Sequence, residues 1–214
     1  MFAGIAARYD LANRVLSGGL DRWWRAKMAR LAVQNQPARV LDLATGSGDL
    51  ALAIKARRPE AMVIGADFCA PMLVNARRKG LAEVVVADAL QLPFGDETFD
   101  VVTIAFGLRN MEDWAAALQE CRRVIAPGGV LLVLDFCLPN GPWRWIYRPY
   151  LHHVLPRIAE WLTGSRGSYQ YLGDSIERFP RGEAMCRLLK AAGFSHASSQ
   201  PWSAGIVAIY TGAR

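Results

Sequence analysis

VLDLATGSGDLA, residues 40–51, decides how the rest of the chain is read. VLDL has the apolar character of a buried strand, LALAIKARR from residue 50 has that of a helix, and Gly46 and Gly48 stand at the turn between them. A residue without Cβ lets the backbone approach a ligand closely at such a turn. A strand, a glycine turn and a helix in that order form the opening unit of an open parallel sheet. Gly46-Ser47-Gly48-Asp49-Leu50-Ala51 also fits the GxGxxG/A pattern of dinucleotide sites. That pattern is short, and many strand–helix turns use glycine for packing alone.

Outward from this unit the same alternation repeats. AMVIGAD (61–67), EVVVADA (83–89), FDVVTIAF (99–106) and VLLVLDF (130–136) read as strands, and APMLVNARRKG (70–80) and WAAALQECRRVI (114–125) as helices. GEAMCRLLKAAG (182–193) predicts a further helix, and two last strands are expected around 195–202 and 205–211. The expectation is a single α/β domain over 1–214, Rossmann-like, with a mostly parallel seven-stranded sheet and helices on both faces. Residues 1–35 read as a helical lid interrupted by Ser17-Gly18-Gly19, and 137–180, rich in aromatics and arginine, as an inserted helical cap.

Composition narrows the function. The chain is 52% hydrophobic and 21% charged, which excludes disorder. The net charge of +6 is spread without a basic block, so no nucleic-acid partner is expected. Cys69, Cys121, Cys137 and Cys186 lack CxxC spacing, so no metal site is expected and the thiols read as reduced. The N-terminus has no unbroken apolar h-region and no stretch is apolar enough to span a bilayer, which points to a cytoplasmic protein.

Three carboxylates follow the first three strands. Asp42 lies four residues before Gly46, Asp67 ends the second strand roughly 20 residues after the loop, where an acid grips ribose hydroxyls, and Asp88 follows the third. Acids at these three places suit a ligand with an amino acid, a ribose and an adenine but no pyrophosphate, which is S-adenosylmethionine.

The motifs VLDLATGSGD, GADFCAPML, ADALQLPF, FDVVTIAFGLRNMED and RVIAPGGVLLVLDF resemble the successive motifs of class I methyltransferases. FGLRN, HVLPRI, YQYLGDSIERFP, AGIVAIYTG and the opening IAARYDLANRVLSGGLDRWWR resemble, more narrowly, the ubiquinone/menaquinone biosynthesis C-methyltransferases, which methylate a ring carbon of a polyprenyl quinol. The resemblance spans nearly the whole chain. It departs at Ala44, where many methyltransferases have glycine, at Ser47 in place of threonine, and at Asp135 in place of glutamate. The chain opens almost at the family's first motif, which leaves room for a leading segment.

The resemblance implies that Gly46, Ser47 and Gly48 surround the methionine part of the cofactor, that Asp67 takes the ribose and that Asp88 with Ala89 faces the adenine. Tyr9, beside Asp10, becomes part of a lid over the cofactor, and Asp42 orients the glycine loop through backbone hydrogen bonds. Helix capping by Asp67, a turn role for Asp88 and simple packing of Tyr9 are the alternatives. Asn110, Tyr171 and Ser175 are expected at the substrate. Arg109, always protonated, is expected to hold a quinol oxygen as charge develops, with Asp135 or His153, one of the adjacent pair His152–His153, accepting the proton. The alternative for Arg109 is a loop tie to Asp113 or Glu112.

The expected partner is a lipophilic quinol. The aromatic and arginine residues of 143–161 suit transient contact with the inner face of a membrane or, equally, a helix pair with a snorkelling rim. Self-association into a homo-oligomer is left open. The rival readings are a methyltransferase of the same fold acting on another small molecule or a phospholipid headgroup, a nicotinamide oxidoreductase, and a cofactor-binding scaffold without turnover.

Overall fold

The computed structural model describes residues 17–139, 141, 143–149, 151 and 167–214. Seven strands, β1 (Arg39–Leu43), β2 (Met62–Asp67), β3 (Glu83–Val86), β4 (Phe99–Ala105), β5 (Ile125–Phe136), β6 (His196–Trp202) and β7 (Val207–Ala213), form one sheet in the order β3-β2-β1-β4-β5-β7-β6. The pairs β1–β2, β2–β3, β1–β4 and β4–β5 are parallel, and β7 runs antiparallel to both β5 and β6. The chain fills one half of the sheet outward from β1, then returns to lay β4 on the other side of β1. The crevice where strand order reverses is the place such sheets bind ligands.

The described helices are α1 (Asp21–Ala32), α2 (Asp49–Arg57), α3 (Ala70–Arg78), α4 (Trp114–Val124), α5 (Trp143–Pro149), α6 (Gly167–Arg178) and α7 (Glu183–Ala191). Successive strand residues point to opposite faces, so the apolar runs build two cores. Val40, Val101 and Leu132 pack under α1 and α2 with Trp24, Met28, Leu50 and Ile54. Leu41, Val102 and Val133 pack under α4 and α7 with Leu118, Cys121, Met185 and Leu189. A mostly parallel seven-stranded sheet with helices on both faces is the architecture expected from the strand–helix alternation.

Trp24 fixes α1 against this frame. Its ring meets Phe106 at 6.1 Å and Phe136 at 6.0 Å, and its Nε1 donates to Ser203 Oγ at 2.8 Å. The helix therefore lies beside the carboxyl ends of β4 and β5. Within 137–180, α5 and α6 are helical, and α6 packs on a 3₁₀ turn, Leu108–Asn110, that follows β4.

Candidate active site

A cavity of about 440 Å³ opens along the carboxyl ends of β3, β2, β1 and β4. Its wall carries Asp88 and Ala89 after β3, Asp67 and Phe68 at the end of β2, the glycine loop after β1, and Phe106 and Gly107 after β4. Arg25 of α1 closes it at the β4 side.

Asp42 sits inside β1 on the face covered by α1 and α2, 1% exposed. Its register partner across the strand pair is Thr103. In-register parallel neighbours point the same way, so Thr103 Oγ1 donates to Asp42 Oδ1 at 2.6 Å, and Thr45 Oγ1 donates to Oδ2 at 2.7 Å. Asp42 thus reaches the loop through the Thr45 hydroxyl and ties β1 to β4 through Thr103, beside the backbone bonding expected of it, which is present at Ala51. Burial raises its pKa to about 6, and the two hydroxyls oppose the rise.

Gly46 and Gly48 both lie in the left-handed region, at φ +57° and +82°. A Cβ at Gly48 would stand 3.0 Å from Ala76 Cβ of α3, so this glycine serves helix packing as well as loop shape. Ser47 is buried, and its Oγ accepts from Lys79 Nζ at 2.7 Å; Lys79 also pairs with Asp49 at 2.7 Å.

Asp67 holds two backbone amides of the cavity wall. Its Oδ1 accepts from the Cys69 amide at 2.8 Å, fixing the entry to α3, and its Oδ2 accepts from the Gly46 amide at 2.8 Å, fixing the glycine loop. Each oxygen keeps a further lone pair, and the residue borders the cavity. Burial raises its pKa and the two amides pull it back. Asp88 is likewise a turn acid, accepting from the Leu90 amide at 2.9 Å, and a wall residue.

After β4 the structure departs from the sequence expectation. Arg109 is not among the residues that line the cavity. It lies 4% exposed behind the wall, its Nη1 donating to Asp135 Oδ1 at 2.6 Å and to the Phe106 carbonyl at 2.7 Å. Asp135, on β5 and fully buried, also accepts from the Phe136 amide at 2.8 Å and the Arg109 amide at 3.3 Å. Burial pushes the Asp135 pKa upward, and the guanidinium opposes it. Among the described residues, Arg109 and Asp135 thus meet each other and do not border the cavity. The loop tie to Asp113 or Glu112 is also corrected: Asp113 caps α4, accepting from the Ala116 amide at 3.0 Å, and Glu112 borders the cavity.

The pair instead shapes the FGLRN turn. Phe106 is an aromatic residue at φ +62°, a conformation that costs an L-residue on the order of 1–2 kcal/mol. Its carbonyl accepts from Arg109 and, at 3.3 Å, from Asn110 Nδ2, while its amide donates to the Leu134 carbonyl at 2.7 Å. Gly107 follows because a Cβ there would meet Ala44 Cβ at 2.5 Å. Ala44, itself at φ +53°, holds a left-handed position that suits the glycine many methyltransferases have there.

Asn110 borders the cavity; Ser175 is buried in α6 and does not. Tyr171 lies on α6, and its side chain, with Tyr9, Asp10, His152 and His153, falls outside the described residues. Wall residues that sequence reasoning passed over are Arg25, Thr45, Phe68, Met72 and Phe106. Among the described residues no cluster of His, Cys, Asp or Glu is placed to hold a metal ion.

Comparison with known proteins agrees with this geometry. The chain is 50% identical to a demethylmenaquinone methyltransferase of Thermus thermophilus, covering all of both chains. It is 43% identical to a ubiquinone/menaquinone biosynthesis C-methyltransferase of Syntrophotalea carbinolica, covering 100% of this chain and 92% of the relative. The solved structure of a SAM-dependent methyltransferase from Thermotoga maritima matches in fold with a TM-score of 0.69 at 19% identity, over 100% of this chain and 99% of the other. With a family model matching residues 1–214, the chain belongs to the ubiE/COQ5 methyltransferase family.

Proposed function

We propose that the protein uses S-adenosylmethionine to methylate a ring carbon of a polyprenyl quinol, of the demethylmenaquinol or methoxy-benzoquinol type. The observation that carries the substrate class is the 50% identity, over the full length of both chains, to a demethylmenaquinone methyltransferase. The wall chemistry supports the cofactor. Among the described residues, Asp42, Asp49, Asp67, Asp88 and Glu112 face the cavity with one basic residue, Arg25. Such a wall repels the pyrophosphate of a dinucleotide and suits a ligand that carries positive charge.

In this reading Asp88 and Ala89 hold the adenine, Asp67 the ribose through its outward lone pairs, and Gly46–Gly48 the amino-acid part. When bound, the cofactor supplies a methyl group activated on a sulfonium. The chain's own work is position and electrostatics. Phe106 and Gly107, held by the Arg109–Asp135 pair, form the floor at the β4 end, and Asn110 and Glu112 border the side where the ring enters. The ring carbon becomes nucleophilic when its neighbouring hydroxyl loses a proton, and among the described residues the carboxylate of Glu112 borders that end and can accept it. His153 stays a second candidate.

A polyprenyl quinol resides in the bilayer, so we place the protein, cytoplasmic in this reading, at the inner membrane surface during turnover. Exposed Trp23 and Trp145, with Lys27 and Arg148 nearby in sequence, have the aromatic and basic character that such contact uses. Among the described residues no helix is long and apolar enough to cross a membrane. The test is the quinone pool of a strain deleted for this gene. Accumulation of the demethylated quinone, reversed by the gene, is expected; an unchanged pool overturns the reading.

A further inference from the structure

We propose that Arg25 is the cofactor-binding residue for the carboxylate of the adenosyl amino acid, an inference that rests on the cofactor reading above. The sheet order sets the direction. Asp88 follows β3, Asp67 ends β2, the glycine loop follows β1, and Arg25 stands over Phe106 after β4. Neighbouring strands lie about 4.8 Å apart, so this row spans three steps, about 14 Å. A ligand with its adenine at Asp88 and its ribose at Asp67 extends its amino-acid end past the glycine loop toward α1.

That end carries an ammonium and a carboxylate. Among the described residues the wall offers the ammonium a choice of acids and the carboxylate one cation, Arg25. Arg25 is also built for the task. Its side chain is 13% exposed, its Nη1 pairs with Asp21 Oδ2 at 2.5 Å, and its guanidinium sits 5.3 Å from the centre of the Phe106 ring. Trp24, the adjacent residue, is locked into the core, so α1 does not have to be ordered by the ligand. The planar fork keeps donors beyond the one committed to Asp21, and an aromatic face beneath it restricts its plane. A guanidinium so placed meets a carboxylate with little loss of freedom. Phe106 thereby has a second use: the backbone held left-handed by Arg109 and Asn110 carries the ring on which Arg25 rests.

The test compares two ligands that differ in the amino-acid end. S-adenosylhomocysteine carries the carboxylate; 5′-methylthioadenosine has the adenosine and sulfur without it. Calorimetric titration of the full chain with both is expected to show Arg25→Met weakening S-adenosylhomocysteine about 10- to 100-fold, the scale of a lost hydrogen bond to a charged group. Binding of 5′-methylthioadenosine should stay within about twofold. Arg25→Met leaves Asp21, 3% exposed, without this partner, so Asp21→Asn is made alongside it. Asp21→Asn alone should leave S-adenosylhomocysteine binding intact, and the double variant should show the same ligand-selective loss in a chain that melts near the wild type. Equal weakening of the two ligands, or none, overturns the assignment and makes Arg25 a tie between α1 and the β4 turn. A wild-type chain that binds neither ligand sinks the cofactor reading itself, a result distinct from the failure of Arg25.

Discussion

Replacing Arg109 by methionine separates a structural from a chemical reading of the FGLRN turn. The Arg109–Asp135 pair is 1% and 0% exposed at its side chains and closes at 2.6 Å. Removing the cation leaves a carboxylate in a water-poor interior, which costs about 3–5 kcal/mol. The left-handed Phe106 also loses one of the donors on its carbonyl, on the order of 1 kcal/mol more. For a chain of this size the melting temperature should fall on the order of 10 °C. Replacing both partners, Arg109→Met with Asp135→Leu, removes the stranded charge. It should recover at least about half of the loss, short of the whole because the Arg109 and Phe136 amides lose their acceptor. Urea and thermal unfolding of the two single variants and the double one give the coupling directly. If Arg109→Met melts like the wild type while turnover collapses, the guanidinium acts on substrate and the structural reading is wrong.

Four further outcomes follow from the same geometry. The folded-state pKa of Asp42, about 6, lies above its unfolded value of 3.8, so the folded state holds the extra proton between those pH values. Its contribution to stability is therefore fully present in acid and falls by about 2–3 kcal/mol as pH rises from about 4 to 6; in Asp42→Asn this part of the pH profile of unfolding should vanish. Gly107→Ala drives a Cβ into Ala44 and should lower both stability and S-adenosylhomocysteine affinity, and Ala44→Gly in the same chain should restore much of each, as melting and calorimetry will show. Asp67→Ala should weaken S-adenosylhomocysteine by about 1–3 kcal/mol, and because its oxygens also hold the Gly46 and Cys69 amides, the melting temperature should fall with it. The protein should float weakly with anionic liposomes and lose that binding in high salt, since basic residues near such a surface contribute about 1 kcal/mol each; no flotation even at low salt counts against membrane contact.

The parts of the fold legible in the sequence are those written locally. Apolar runs of four to eight residues ending at glycine or aspartate marked the strands, and Asp42, Asp67 and Asp88 were found because each follows or lies in such a run. What each acid touches was not legible. Thr103 meets Asp42 only through the register of two strands 61 residues apart in sequence. The carboxylate beside Arg109 is illegible for the same reason: Asp135 lies 26 residues away, on the strand that the fold sets beside β4. A cation at the end of a strand reads as a ligand group until the neighbouring strand is known to bring a buried carboxylate against it. Arg25 is not legible as a wall residue because nothing in a helical stretch says which strand ends it will cross. One signal was present: Arg25 follows Trp24, and a large apolar anchor next to a charged residue fixes where the charge points.

The most direct measurement uses the purified chain, S-adenosylmethionine labelled in its methyl group, and demethylmenaquinol or methoxy-benzoquinol reduced under anaerobic conditions. Mass spectrometry of the extracted quinones should find the label on a ring carbon of one of them, with S-adenosylhomocysteine formed in equal amount and turnover reduced by Asp67→Ala. Label appearing on a hydroxyl oxygen or a lipid headgroup, or no transfer to either quinol while S-adenosylhomocysteine still binds, would contradict quinol C-methylation as the function of this protein.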